Sequence, residues 1–137
     1  MANDTTAYRM ADGRMGLNID TNKTLAEGDC GLVQNLVADS VVITLPATVV
    51  GYHFICRNGG APVTSGPTGT GSNGTVLVAV SPNAADKIMG NGFTSADNKD
   101  ALNTKATSKV GDEIQLVGDG VNGYMVTRII GTWAREA

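Results

Sequence analysis

The sequence predicts an all-β protein: a single antiparallel β-sandwich or barrel of about seven or eight short strands. Three observations carry that expectation. Residues 109–133, KVGDEIQLVGDGVNGYMVTRIIGTW, read as a β-hairpin. The remaining apolar runs are short, rich in Val and Ile, and bounded by turn residues. Eighteen glycines with few aromatics favour many reversals over long helices.

Each element has its own reason. Residues 1–22 are expected to be an extended N-terminal arm, and residues 23–137 the β-domain. In the arm small and polar residues dominate, and Tyr8, Met10, Met15, Leu17 and Ile19 are too scattered for a sustained stripe. Such an arm either stays disordered or orders on a neighbour, with Tyr8, Met10 and Met15 in pockets and Arg9 and Arg14 against acidic groups. Strands are expected over residues 30–37 and over 40–45, the latter closed by Pro46. Residues 49–57, VVGYHFICR, form another, with Tyr52, Phe54 and Cys56 on one face and His53 and Ile55 on the other. Residues 58–74 hold six glycines and two prolines and read as a long surface loop. An apolar strand over 75–81, a turn at 82–86 and a short strand over 87–89 follow. Between Phe93 and Ser108 the chain is polar; a short helix capped by Ser95, the one helix expected, and an irregular crossover are the alternatives. In the closing hairpin, Asp119-Gly120 and Asn122-Gly123 supply the positive φ angles of a tight reversal.

Composition narrows the chemistry. A formal net charge of -3 with no basic patch makes nucleic acid a poor partner. No apolar run approaches the roughly 20 residues that cross a bilayer as a helix, so no membrane partner is expected. The first residues lack the basic start and apolar stretch of a secretory signal. Cys30 and Cys56 read as two unpaired thiols behaving as small hydrophobes; with the lone His53 they lack the spacing of a zinc site. His53 has no identifiable partner for general-base work. Asp97, Asp100, Asp112 and Glu113 are the one acidic cluster, without EF-hand spacing, and read as a solvated face. The glycine-rich loop has no lysine and leads into a strand, so it does not fit a P-loop. No cofactor, metal or catalytic residue is therefore expected.

Three segments, VVITLPATVVGYHFICRNGG, VAVSPNAADKIMGNG and the closing hairpin, carry a resemblance. Their pieces run in a fixed order: a strand ending in Leu-Pro, a Gly-aromatic strand ending near Asn-Gly, Ser-Pro-Asn-x-x-Asp, Gly-Asp before a strand, and Asp-Gly-x-Asn before an aromatic strand. In this the chain resembles a β-domain of tailed-bacteriophage virion proteins, found in capsid decoration (cement) proteins and in head- or tail-fibre modules. It departs in one place: such modules often have tryptophan directly after the Asp-Gly-x-Asn turn, where Gly123-Tyr124 stands here.

The resemblance implies a non-enzymatic virion component, made in the host cytoplasm and placed on the capsid exterior. Its partners would be the major capsid protein and two further copies of itself, in a homotrimer that stabilises the shell. Tyr8, Arg9, Met10, Arg14 and Met15 would be the capsid contacts. Heptads and repeats are absent from the sequence, which favours a cement protein over a fibre. The alternatives are a receptor- or glycan-binding head- or tail-fibre domain and, from another class, a small β-barrel enzyme. The first wants exposed aromatics and the second converging histidines or carboxylates.

Overall fold

The computed structural model describes residues 3–60, 76–90, 93, 96 and 98–137. Among the described residues twelve strands form two sheets packed face to face. They are β1 Tyr8–Arg9, β2 Met15–Ile19, β3 Lys23–Thr24, β4 Val33–Leu36, β5 Val41–Thr44 and β6 His53–Asn58. The rest are β7 Val78–Ser81, β8 Lys87–Met89, β9 Ala101–Asn103, β10 Glu113–Gly118, β11 Gly123–Ile130 and β12 Ala134–Arg135. The larger sheet has the order β1-β2-β4-β6-β10-β11-β8, and the smaller β12-β9-β7-β5-β3. Among the described residues helical structure is confined to a single 3-10 turn, Glu27–Asp29. Where a helix or crossover was expected stands β9; Ser95 itself lies outside the described residues.

The all-β expectation holds and the sheet is a sandwich, but it is not purely antiparallel. From β2 to β7 the chain alternates between the sheets, so each strand lands beside the one two earlier and runs parallel to it. Gly16 pairs with Val33 and Val33 with Ile55 in the larger sheet, and Val41 pairs with Val78 in the smaller. The opposite sheet thus supplies the crossover that a parallel pair requires. Antiparallel pairing flanks this run, with β1 on β2 before it and β9 on β7, β10 on β6 and β11 on β10 after it, while β8 returns parallel to β11 at the edge.

The N-terminal segment also departs from the expectation. Residues 3–22 are not a separate arm: β2 is hydrogen-bonded between β1 and β4, and Leu17 and Ile19 are core residues. The preceding residues follow the same edge, with the Asp4 N–H donating to the Asn18 carbonyl at 2.9 Å and Asn3 Oδ1 accepting from the N–H groups of Asp20 and Thr21. The turn between β1 and β2 folds over the outside of the larger sheet and lays Met10 on Val33 and Ile55. Burying one such side chain is worth about 2 kcal/mol. Gly16 makes room for it, because a Cβ there would stand 2.4 Å from Met10 Sδ. With this cover β4 is buried along its whole length, as parallel strands usually are.

The main core lies between the sheets. Leu17, Ile19, Leu36, Phe54, Ile114, Leu116 and Tyr124 from the larger sheet meet Ile43, Val78 and Val80 from the smaller. Phe54 and Cys56 point into it and Ile55 away from it, as the alternation predicted. The strand begins at His53 rather than Val49, because the Tyr52 N–H closes a turn onto the Val49 carbonyl and Gly51 has φ +87°.

Candidate functional site

The covered half of the larger sheet carries a polar row. Strand register aligns Asn18, Asn35, Arg57 and Glu113 side by side on the outer face. Arg57 Nη1 donates to Asn35 Oδ1 at 2.8 Å, and Asn35 Nδ2 donates to Asn18 Oδ1 at 3.0 Å. The Tyr8 hydroxyl donates to the same Asn18 oxygen. At the far end Arg14 Nη2 lies 2.6 Å from Glu113 Oε1 and 2.7 Å from Asp12 Oδ2, while Gln115 Nε2 donates to Glu113 Oε2 at 2.9 Å. Burial alone would raise the Glu113 pKa; the hydrogen bonds from Arg14 and Gln115 and the charges of Arg14 and Arg128 outweigh it and hold the carboxyl below its ordinary value.

This network disposes of the five expected contact residues unequally. Tyr8 and Arg14 are half-buried in the row and Met10 is buried beneath the turn, so all three serve the domain's own packing. Arg9 and Met15 remain exposed. Sequence reasoning missed β2 because Asn18, which points outward, looks like a loop residue. The alternation of Met15, Leu17 and Ile19 was the signal that could have revealed it.

A second surface lies at the tip of the closing hairpin. Asp119 Oδ1 accepts from the N–H groups of Val121, Gly123 and Asn122 at 2.8, 3.1 and 2.8 Å, which holds its carboxyl below the usual range. Thr48 stitches the neighbouring loop onto this turn: its hydroxyl donates to the Gly123 carbonyl at 2.6 Å and accepts from the Gly120 N–H at 3.0 Å. Its own N–H donates to Asp86 Oδ2 at 3.0 Å. Gly120, with φ +78°, sits under Val50, whose Cγ2 would be 2.6 Å from any Cβ there. The tip is therefore built from ordered loops, yet it presents Val50 at 77 % and Val121 at 81 % exposure, with Val49 beside them at 44 %. Replacing Thr48 by valine is expected to cost about 1 kcal/mol in urea denaturation, with an unchanged far-ultraviolet spectrum.

A third group lies on the outer face of β11. Met125 pairs with Met89 of β8 and with Val117 of β10, which in turn pairs with His53. Met125 is half exposed, and Ile130 of the same strand is exposed as well.

The other chemical candidates are structural. Cys56 is fully buried, and burial followed by the nearby Glu113 charge pushes its thiol up to about 12, so it stays protonated at neutral pH. Cys30 is half-buried, and both are free thiols. The acidic cluster is split: Asp112 Oδ2 accepts from Asn103 Nδ2 and the Lys109 N–H, both at 2.9 Å, whereas Glu113 belongs to Arg14. Asp97 lies outside the described residues, as do residues 61–74 of the glycine-rich loop and Thr75, the first residue of the strand expected over 75–81. The stems of that loop are tied together, with buried Asn58 donating through Nδ2 to the Val76 carbonyl at 3.3 Å and to Asn103 Oδ1 at 2.7 Å. Taken together, these groups leave large apolar side chains exposed at the hairpin tip and on the outer face of β11. No known protein family, curated protein or solved structure matches this chain.

Proposed function

We propose that this protein is a virion structural component, a capsid decoration protein that binds the outer surface of a phage head as a homotrimer and stabilises the shell. The observation that carries the reading is the combination of a tightly tied domain with large apolar side chains left at its surface, most of them in two places. One is the hairpin tip, with Val49, Val50 and Val121, and the other is the face of β11, with Met125 and Ile130. A cement protein needs two such surfaces, one for its own copies and one for the shell. Weak contacts made three at a time then become tight through multivalency. Exposed Arg9 and Met15 would contact the capsid from the rim of the sheet rather than from a free arm.

The fibre alternative gains less from the structure. Sugar faces are stacked on exposed aromatics, but Phe54 and Tyr124 are buried and Tyr8, Tyr52 and Trp133 are half-buried.

The test is light scattering on the purified protein, followed by sedimentation with empty tailed-phage capsids that lack decoration. A trimer that pellets with capsids is expected, with pelleting abolished by the paired change Val50→Asp and Val121→Asp or by Arg9→Glu with Met15→Asp. A monomer that stays in the supernatant would falsify the reading.

A further inference from the structure

We propose that Lys23 and Gln34 become joined by an isopeptide bond that the folded chain forms by itself, with Asp29 as proton carrier. The two side chains come from opposite sheets, Lys23 from β3 and Gln34 from β4. Lys23 Nζ lies 2.9 Å from Gln34 Oε1 and 3.0 Å from Asp29 Oδ1. An amine, a carboxamide and a carboxylate thus converge, and the first two are what amide exchange consumes.

The setting favours reaction over a simple hydrogen bond. Gln34 has no exposed surface, and register places it between Leu17 and Cys56, both members of the main core. Its Nε2 has no hydrogen-bond partner among the described residues. A buried donor without an acceptor is costly, and such groups in native proteins call for an explanation. Expelling that nitrogen as ammonia removes the unsatisfied group and leaves the carbonyl oxygen in place. Lys23 and Asp29 are largely shielded, at 20 % and 15 % side-chain exposure, so water competes poorly for either. The fold holds amine and amide together at an effective concentration no free pair reaches.

The step balances without an oxidant or co-reactant. The Lys23 ammonium passes one proton to Asp29 and becomes a nucleophilic amine. Its nitrogen attacks Gln34 Cδ, after a turn of the terminal amide torsion brings that carbon to face it, and the new C–N bond gives a tetrahedral intermediate. Asp29, now a carboxylic acid, protonates Nε2, and the Cδ–Nε2 bond breaks. The second Nζ proton follows by the same route, and the leaving group departs as ammonium. The product is a secondary amide linking the two sheets, with Asp29 restored as a carboxylate.

The experiment is intact-mass spectrometry of the denatured full-length protein after prolonged warm incubation, with peptide mapping. The expected result is a mass short by one ammonia, and a branched peptide containing both Lys23 and Gln34. Lys23→Arg should keep the full mass, Asp29→Asn should convert far more slowly, and both should melt at a lower temperature than the linked wild type. Wild-type protein of full mass, with Lys23 and Gln34 in separate peptides, overturns the proposal. So does a loss of ammonia that maps elsewhere, for instance to succinimide formation at Asn122-Gly123.

Discussion

Replacing Tyr124 by alanine is expected to destabilise the fold by about 3–5 kcal/mol, a large share of the roughly 5–15 kcal/mol that holds a domain together. Tyr124 is fully buried at the start of β11 and is among the largest side chains in the core. Its ring packs on Phe54 with centroids 5.8 Å apart, and Phe54 meets Tyr52 edge-on at 5.9 Å. Truncation opens a cavity among three aromatic rings, and the strand pairs around it leave little room to collapse. The phenylalanine variant separates packing from polarity. It loses only the hydroxyl that donates to the Pro46 carbonyl at 3.0 Å, and is expected to cost about 1 kcal/mol. The phenol also sets an alkaline limit. Burial first, then the Asp86 charge, raises its pKa in the folded state, so the unfolded chain ionises sooner. Stability should therefore be complete below the ordinary tyrosine value of about 10 and fall as pH rises above it. In Tyr124→Phe that part of the alkaline loss should vanish. Urea midpoints across the pH range test both statements.

Removing Arg14 should be the next most damaging change. Glu113 is 3 % exposed at the side chain while Arg14 is 35 % exposed, so the pair is buried on one side only. Arg14→Ala is expected to cost about 2 kcal/mol at neutral pH, below the roughly 3–5 kcal/mol of a fully buried pair, because water screens the guanidinium. The sign of the pH dependence is the sharper test. In the wild type the Glu113 pKa is depressed. Its contribution is therefore present above the ordinary glutamate value and lost as pH falls through the lower folded value. Without Arg14, burial has less to oppose it, and protonation relieves a stranded charge. The gap between wild type and Arg14→Ala should then narrow from neutral pH to about pH 3. A gap that stays constant would show that Arg14 acts through packing alone.

What the sequence disclosed and what it hid follow from the kinds of signal involved. The hairpin was legible because its reversal depends on local chemistry: Asp119 caps the turn itself, and Gly120 takes the φ that its neighbours avoid. The two faces of β6 were legible because alternation is local too. Partner choice was not. A run such as VVIT alternates in the same way whether its neighbour is parallel or antiparallel, and nothing in Val41 names Val78 as its partner. The N-terminal segment was misjudged for a related reason. Asn18 and Asn35 are polar but buried, because each finds its hydrogen bonds across strands that are distant in sequence. Of the expected contact residues, Met10 and Arg14 drew attention as apolar and cationic groups in a polar stretch. The domain itself supplies the apolar surface and the carboxylate that they meet.

The alternation of the chain between sheets also governs how the protein must fold. A hairpin such as β10–β11 closes within about 1–10 μs, since its ends are neighbours. The segment from β2 to β7 has no such nucleus: Gly16 waits for Val33, Val33 for Ile55, and Val41 for Val78. No two consecutive strands there can be kept as a paired intermediate, because consecutive strands lie in different sheets. Loop entropy is spent before pairing returns it, which places this chain among slow folders of high contact order. Among the described residues local pairing is available only near the two ends, in β1–β2 and β10–β11, and every strand pair between them has to be closed by long-range contacts.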